Sequence, residues 1–136
     1  MFKLKKIIGG RTNVPEIRTI KVNSISSEIT AGTPVSIYRG SVRFMDENSD
    51  FAATHIVVCD AKRGDTILKV YDVLPGMVFS VDCQGDPTTY KIYGEHAVSN
   101  GSLLPSESAS WKSGVVVYET PEVGDKEVLV TFPCAY

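Results

Sequence analysis

The feature that most constrains this chain is a succession of short apolar segments separated by turns. The segments are rich in Val, Ile, Thr and Tyr, and they are separated by Gly, Pro and Asp at intervals of about ten residues. In residues 66–72, Leu68 and Val70 alternate with Ile67 and Lys69, as expected for a strand with one buried face. The sequence therefore predicts an all-β fold, either a small antiparallel β-barrel or a β-sandwich of about eight or nine short strands.

Several segments carry more specific predictions. Residues 17–25 are predicted to form the first strand of the β domain, with Ile20 facing the core. The pair Arg39-Gly40 between two apolar runs predicts a hairpin. Residues 54–59 are an unbroken apolar run that suits a buried strand. The serine-rich residues 94–112 contain a proline and predict a long surface loop.

The length and the charge distribution suggest one body with an appendage. A chain of 136 residues fits a single domain. The net charge is −2, but residues 1–22 carry six basic residues and one acidic residue, whereas the remainder carries 8 basic and 15 acidic residues. We therefore predict an extended basic N-terminal arm over residues 1–16 and a single acidic β domain over residues 17–136.

The arm mixes apolar side chains with lysines, and Gly9-Gly10 and Pro15 oppose regular structure there. It is either a disordered, solubilising tail or an arm that orders on a neighbouring subunit, and the apolar residues favour the second interpretation. The candidate partner-binding residues are Phe2, Lys3, Leu4, Lys5, Lys6, Ile7, Ile8 and Arg11. Trp111 is a candidate interface residue, or alternatively an anchor for the loop.

The sequence contains two histidines, and neither belongs to a recognisable catalytic motif. His55 precedes Cys59 by four residues, so on one strand both would share a face; a histidine beside a core cysteine is the expected outcome. His96 could be combined with Ser99 and Asp86 as a catalytic triad, but the G-x-S-x-G motif that presents a nucleophilic serine is absent. We therefore expect His96 to be an exposed residue of a surface loop. We predict no catalytic residues and no enzymatic activity.

Metal, cofactor, membrane and nucleic-acid binding are not predicted either. The cluster Asp46, Glu47 and Asp50 lacks the spacing of a calcium loop. The three cysteines are widely spaced and are expected to be reduced, with no zinc site. No apolar run is long enough for a signal peptide or a membrane span. The acidic surroundings of Tyr90 and Tyr93 argue against nucleic-acid binding.

One part of the chain resembles a known family. Residues 29–35 (ITAGTPV) form a turn followed by a strand, residues 61–65 (AKRGD) end a buried strand, and residues 70–79 (VYDVLPGMVF) contain a Pro-Gly hairpin. This order of segments, over residues 29–82, resembles small β-rich capsid decoration proteins of tailed bacteriophages, also called cement or auxiliary head proteins.

The resemblance implies a mechanical role with no catalytic residues. Such a protein would be made in the host cytoplasm and bind the major capsid protein on the exterior of the virion. It would act as a homo-oligomer, most simply a trimer, whose arms contact neighbouring subunits.

Two other functions fit the sequence. The chain is alternatively a ligand- or glycan-binding β-sandwich module of a fibre or surface complex, in which Trp111, Tyr90 and Tyr93 stack on the ligand. A small enzyme using His55 with Cys59 is the third hypothesis; a native-state thiol that does not react with iodoacetamide would contradict it.

Overall fold

The computed structural model describes residues 1–7, 16–74, 76–85, 90, 93–99, 101–107, 114–119 and 126–132. These residues form eleven β-strands and no helix, arranged in two antiparallel sheets that are not closed into a barrel. The predicted all-β class is confirmed, and of the two predicted architectures the structure has the sandwich. Within the described part of the chain no helix has the length and apolarity needed to cross a membrane.

Strands that are neighbours in sequence mostly lie in the same sheet, and the chain changes sheet only after the first strand and after the sixth among the described residues. The strands are β1 (Lys3–Ile7), β2 (Arg18–Lys21), β3 (Pro34–Tyr38), β4 (Ser41–Phe44), β5 (His55–Val57), β6 (Ile67–Asp72), β7 (Met77–Asp82), β8 (Glu95–Ser99), β9 (Ser102–Glu107), β10 (Val115–Glu119) and β11 (Glu127–Thr131). The six-stranded sheet has the order β1-β7-β11-β10-β8-β9. The five-stranded sheet has the order β2-β6-β5-β3-β4.

The predicted strand faces agree with the observed burial. In β6, Leu68 and Val70 are buried while Ile67 and Lys69 are exposed. The first strand of the five-stranded sheet is shorter than predicted, Arg18–Lys21 within residues 17–25, but Ile20 packs against the core as predicted.

The hairpin predicted at Arg39-Gly40 is confirmed. Tyr38 pairs with Ser41, which leaves Arg39 and Gly40 as the two central residues of the turn. Both have positive φ, 50° and 79°, the combination that a two-residue turn of type I′ requires. The hairpin tip is held to the segment after β2, because the Asn23 N–H donates to the Gly40 carbonyl at 2.8 Å.

The core has two parts. The larger lies on the inner face of the six-stranded sheet and is built from Phe79, Val81, Val117, Val130 and their neighbours. The smaller lies on one face of the five-stranded sheet, where strand residues pack against Val22, Ile25 and Ile29 of the segment between β2 and β3. Ile56 of β5 belongs to the larger cluster, so the two sheets share a packed interface.

The predicted surface loop over residues 94–112 is wrong for residues 95–107, which form β8 and β9. Val98 and Leu103 of these strands are fully buried in the larger core cluster. Pro105 and the serines suggested a loop, but β9 is the outer strand of its sheet, where proline is tolerated because one edge needs no ladder hydrogen bond. The structure has eleven described strands where the sequence predicted about eight or nine, and the additional strands are β1, β8 and β9.

Candidate interaction surfaces

The N-terminal segment, predicted to be an arm, pairs with its own domain in this structure. Lys3 lies opposite Ser80 and Leu4 opposite Phe79, so β1 extends the six-stranded sheet along β7. Phe2 is only 3 % exposed, and its ring packs edge-on against Phe79 at a centroid distance of 6.2 Å. The segment therefore contributes a strand and a core side chain to the body, because its apolar surface is buried without a partner.

Polar contacts hold the start of the chain in place. The Phe2 N–H donates to the Gly32 carbonyl at 2.9 Å. The α-ammonium of Met1 forms an ion pair with Asp82, which also accepts a hydrogen bond from the Ser102 hydroxyl at 2.5 Å. Burial alone would raise the pKa of Asp82, but these two donors outweigh it and the net pKa lies below its ordinary value.

The other predicted partner-binding residues are placed as follows. Lys3 and Lys5 are exposed and Leu4 is half-buried. Lys6 and Ile7 belong to β1. The remaining members lie outside the described residues: Ile8, Arg11 and Trp111. Two surface lysines on an outer strand remain available to a neighbour, and partner binding by this set stays a prediction.

His55 of β5 lies in a polar cluster with residues of the neighbouring strands β6 and β2. Its Nδ1 is 2.7 Å from the Thr54 hydroxyl, and its Nε2 is 3.1 Å from Asp72 Oδ1. Arg18 donates to the other oxygen of Asp72 at 2.7 Å. Burial is the largest influence on His55 and, with Arg18, lowers its pKa below the ordinary value despite the opposing attraction of Asp72. The imidazole is therefore predominantly neutral at neutral pH.

This cluster differs from the dyad considered in the sequence. His55 contacts Thr54 and Asp72, while Cys59 lies beyond the end of β5 and is exposed, not buried beside it. The order hydroxyl, imidazole, carboxylate is the one found in catalytic triads. The Thr54 oxygen already accepts the Ile37 N–H at 2.9 Å, and Arg18 neutralises the carboxylate. These contacts make the cluster a cross-strand link between β5, β6 and β2.

His96 is buried rather than exposed, so its prediction as a surface-loop residue is wrong. It stacks on Tyr90 at a centroid distance of 4.7 Å, and its Nδ1 lies 3.2 Å from the Leu104 carbonyl. The Tyr90 hydroxyl lies within hydrogen-bond distance of the Gln84 and Leu103 carbonyls. Burial raises the pKa of Tyr90 to about 12. Tyr90 is therefore a core residue and is not available to stack on a ligand; Asp86 lies outside the described residues.

The acidic segment between β4 and β5 is an ordered turn with exposed carboxylates. Asp46 accepts the Asn48 N–H at 2.8 Å and the Ser49 hydroxyl at 3.2 Å, and Ser49 itself is buried. Glu47 and Asp50 are exposed. Among the residues that the structure describes, no group of three His, Cys, Asp or Glu side chains could hold a metal ion.

The described surface includes a groove and isolated aromatic rings. The groove has a volume of about 420 Å³ and is lined by Met1, Ile29, Pro34 and Phe44 among others, with Glu28 as its carboxylate. Tyr93 is 74 % exposed and Tyr38 60 % exposed. Arg39 stacks over the Tyr38 ring at 5.2 Å. Tyr38 was not among the ligand-stacking residues predicted from the sequence. Its position directly before the two-residue turn at Arg39-Gly40 is the sequence signal for its exposure.

The comparisons with known proteins found a likeness of fold. No protein-family model matches the chain, and no curated protein matches it in sequence. The crystal structure of the head fibre gp8.5 N base in bacteriophage phi29 is similar, with a TM-score of 0.53. The match covers 87 % of this chain and 95 % of that chain, at 14 % sequence identity. At this identity the two chains share a fold.

Proposed function

We propose that this chain is a structural protein of a tailed-phage head, which binds the major capsid protein on the capsid exterior and stabilises the shell. The observation that carries the proposal is the fold shared with a phage head fibre base over most of both chains. The resemblance of residues 29–82 to capsid decoration proteins points independently in the same direction.

The described side chains support a role without catalysis. Both histidines have structural partners, Asp72 for His55 and Tyr90 for His96. A protein that resists deformation needs packed sheets, and here Ile56 of the five-stranded sheet packs into the larger core cluster with Phe2 and Phe79. Repeated modest contacts around a symmetric shell give strong overall binding, and copies that associate with one another, as a trimer, would multiply those contacts.

The test is quantitative mass spectrometry of purified particles, which compares the copy number of this chain with that of the major capsid protein. The expected result is a fixed ratio with a copy number of similar order to that of the shell protein. Absence from particles contradicts the proposal, and a copy number confined to a few sites per particle contradicts the decoration role.

A second measurement tests stabilisation directly. Particles assembled without this chain should release their genome at a lower temperature than complete particles. Adding the purified chain should restore the release temperature in proportion to the sites it fills. A release temperature that is unchanged at full occupancy contradicts a stabilising role.

A glycan-binding module of a fibre or surface complex is a second candidate, which the exposed rings of Tyr93 and of Tyr38 with Arg39 favour. Binding on a glycan array that is lost in Tyr38→Ala, Tyr93→Ala or Trp111→Ala would support it. An array without signal would count against it.

A further inference from the structure

One face of the five-stranded sheet is left uncovered at strands β2 and β6. Thr19 lies opposite Lys69, and Lys21 opposite Ile67. Side chains opposite one another in a sheet, and alternate side chains along a strand, share a face. Ile17, directly before β2, is exposed and two residues from Thr19, so we include it with this surface. We call these five residues the β2–β6 face: Ile17, Thr19, Lys21, Ile67 and Lys69.

The β2–β6 face combines exposed apolar and basic side chains. All five side chains are exposed, and the two isoleucines are 53 % and 58 % exposed. Two exposed isoleucines beside two lysines, on the outer strand β2 and its neighbour β6, give a surface that is complementary to a partner with apolar and acidic side chains. Glu16, next to Ile17 in the chain, is the acidic residue nearest in sequence to this face. With two lysines and one carboxylate, the surface has a net positive charge.

The same chain presents a surface with the complementary chemistry. The β4–β5 loop, residues 45–53, exposes Glu47 and Asp50, and Phe44 directly before it is also exposed. The turn is held internally by Asp46 and by buried Met45 and Ser49, so its carboxylates are presented from a defined backbone. The exposed ring of Phe44 could pack against the two isoleucines of the β2–β6 face, and the two carboxylates could pair with its two lysines.

The two surfaces are separate within one chain. β2 and β4 are the outer strands of the five-stranded sheet, and β6, β5 and β3 lie between them. Ile56 of β5 and Tyr71 of β6, on the same face, pack into the core shared with the other sheet. No ion pair between described residues joins either lysine to Glu47 or Asp50.

We propose that the β2–β6 face of one copy docks on the β4–β5 loop of a second copy. Contact between two different surfaces is heterologous, so copies follow one another head to tail and can close into a ring. Pairing of β2 with β2 is disfavoured because this short strand carries Arg18 and Lys21, and two copies side by side would bring like charges together. The inference rests on the homo-oligomeric part of the proposed function and names the surfaces that would make it.

The test uses charge reversal and sedimentation velocity of the full chain over a range of concentrations. Lys21→Glu with Lys69→Glu should weaken self-association at least about tenfold, because it places four carboxylates together. Glu47→Lys with Asp50→Lys should do the same, with Asp46 left intact to preserve the turn. The chain that carries all four changes should associate again, because every docked pair regains opposite charges.

The matched control is Lys62→Glu with Lys126→Glu, two exposed lysines outside the β2–β6 face, which should leave association unchanged. A monomeric wild-type chain, a control that dissociates equally, or a fourfold variant that stays monomeric would overturn the inference. Particle binding is measured separately. A monomeric chain that still binds particles overturns the docking surfaces alone, whereas an associating chain absent from particles overturns the proposed function alone.

Discussion

At the scale of single residues, the charge of His55 connects folding to pH. Burial and Arg18 disfavour the imidazolium, while Asp72 favours it, and the net pKa lies below the value of 6.5 for an unperturbed histidine. The unfolded chain therefore takes up the His55 proton at a higher pH than the folded chain does. Where the unfolded state binds more protons, stability rises with pH.

This gives a pH-dependent prediction for His55→Gln. The wild-type chain should lose folding free energy as the pH falls through about 6.5 toward the lower folded-state pKa. The variant cannot take up this proton, so its stability should vary less over the same window. Urea unfolding at a series of pH values measures both chains. Identical pH dependence in the two chains would show that His55 is not the titrating group.

At the scale of structural elements, the N-terminal segment depends on Gly32. This residue has φ of +92°, and a methyl group added to it would lie 2.8 Å from Met1 Cβ and 2.9 Å from the Phe2 carbonyl oxygen. Only a residue without a side chain lets the backbone of residues 1–2 pass so closely. The carbonyl of Gly32 also accepts a hydrogen bond from the Phe2 N–H. The close approach of the two backbones and this hydrogen bond are therefore parts of one contact.

Gly32→Ala and Gly64→Ala form a matched pair that isolates this contact. Gly64 has nearly the same φ, +93°, but a methyl group added there meets no described atom within 4 Å. Each change costs about 1–2 kcal/mol for the left-handed backbone. Gly32→Ala should cost about 1–3 kcal/mol more, because the chain must shift to relieve the overlap. Equal losses in denaturant unfolding would mean that residues 1–2 do not pack there.

At the scale of the whole molecule, Phe2 joins the start of the chain to the shared core. Its ring contacts Phe79 of the six-stranded sheet and Phe132 directly after β11, and it belongs to the cluster that includes Ile56 of the other sheet. This placement separates two views of residues 1–7. A strand of the body stabilises the isolated chain, whereas an arm that orders only on a neighbour does not.

Phe2→Ala tests this difference. Removing a buried ring leaves a cavity, so the free energy of unfolding should fall by about 3–5 kcal/mol. Lys5→Ala, at an exposed position of β1 three residues further along, should change it by no more than about 0.5 kcal/mol. Chemical unfolding at concentrations where the chain is monomeric provides the measurement. If both substitutions are neutral, Phe2 is not part of the core of its own chain.

Local patterns alone were sufficient for much of the fold. The alternation around Leu68 and Val70 identified a strand and its buried face, and Arg39-Gly40 identified a hairpin, because side-chain alternation and positive-φ turns depend on residues close together in sequence. The same patterns pointed to an all-β class.

Other features were decided only by tertiary structure. β1 is a strand because β7 offers it an edge and the core offers Phe2 a cavity, and both lie far along the chain. Residues 95–107 form β8 and β9 despite their loop-like composition, because Val98 and Leu103 fill the core beside Tyr90. The β2–β6 face likewise exists only once two strands pair. Strand pairing and cavity filling join residues distant in sequence, so composition and spacing do not reveal them.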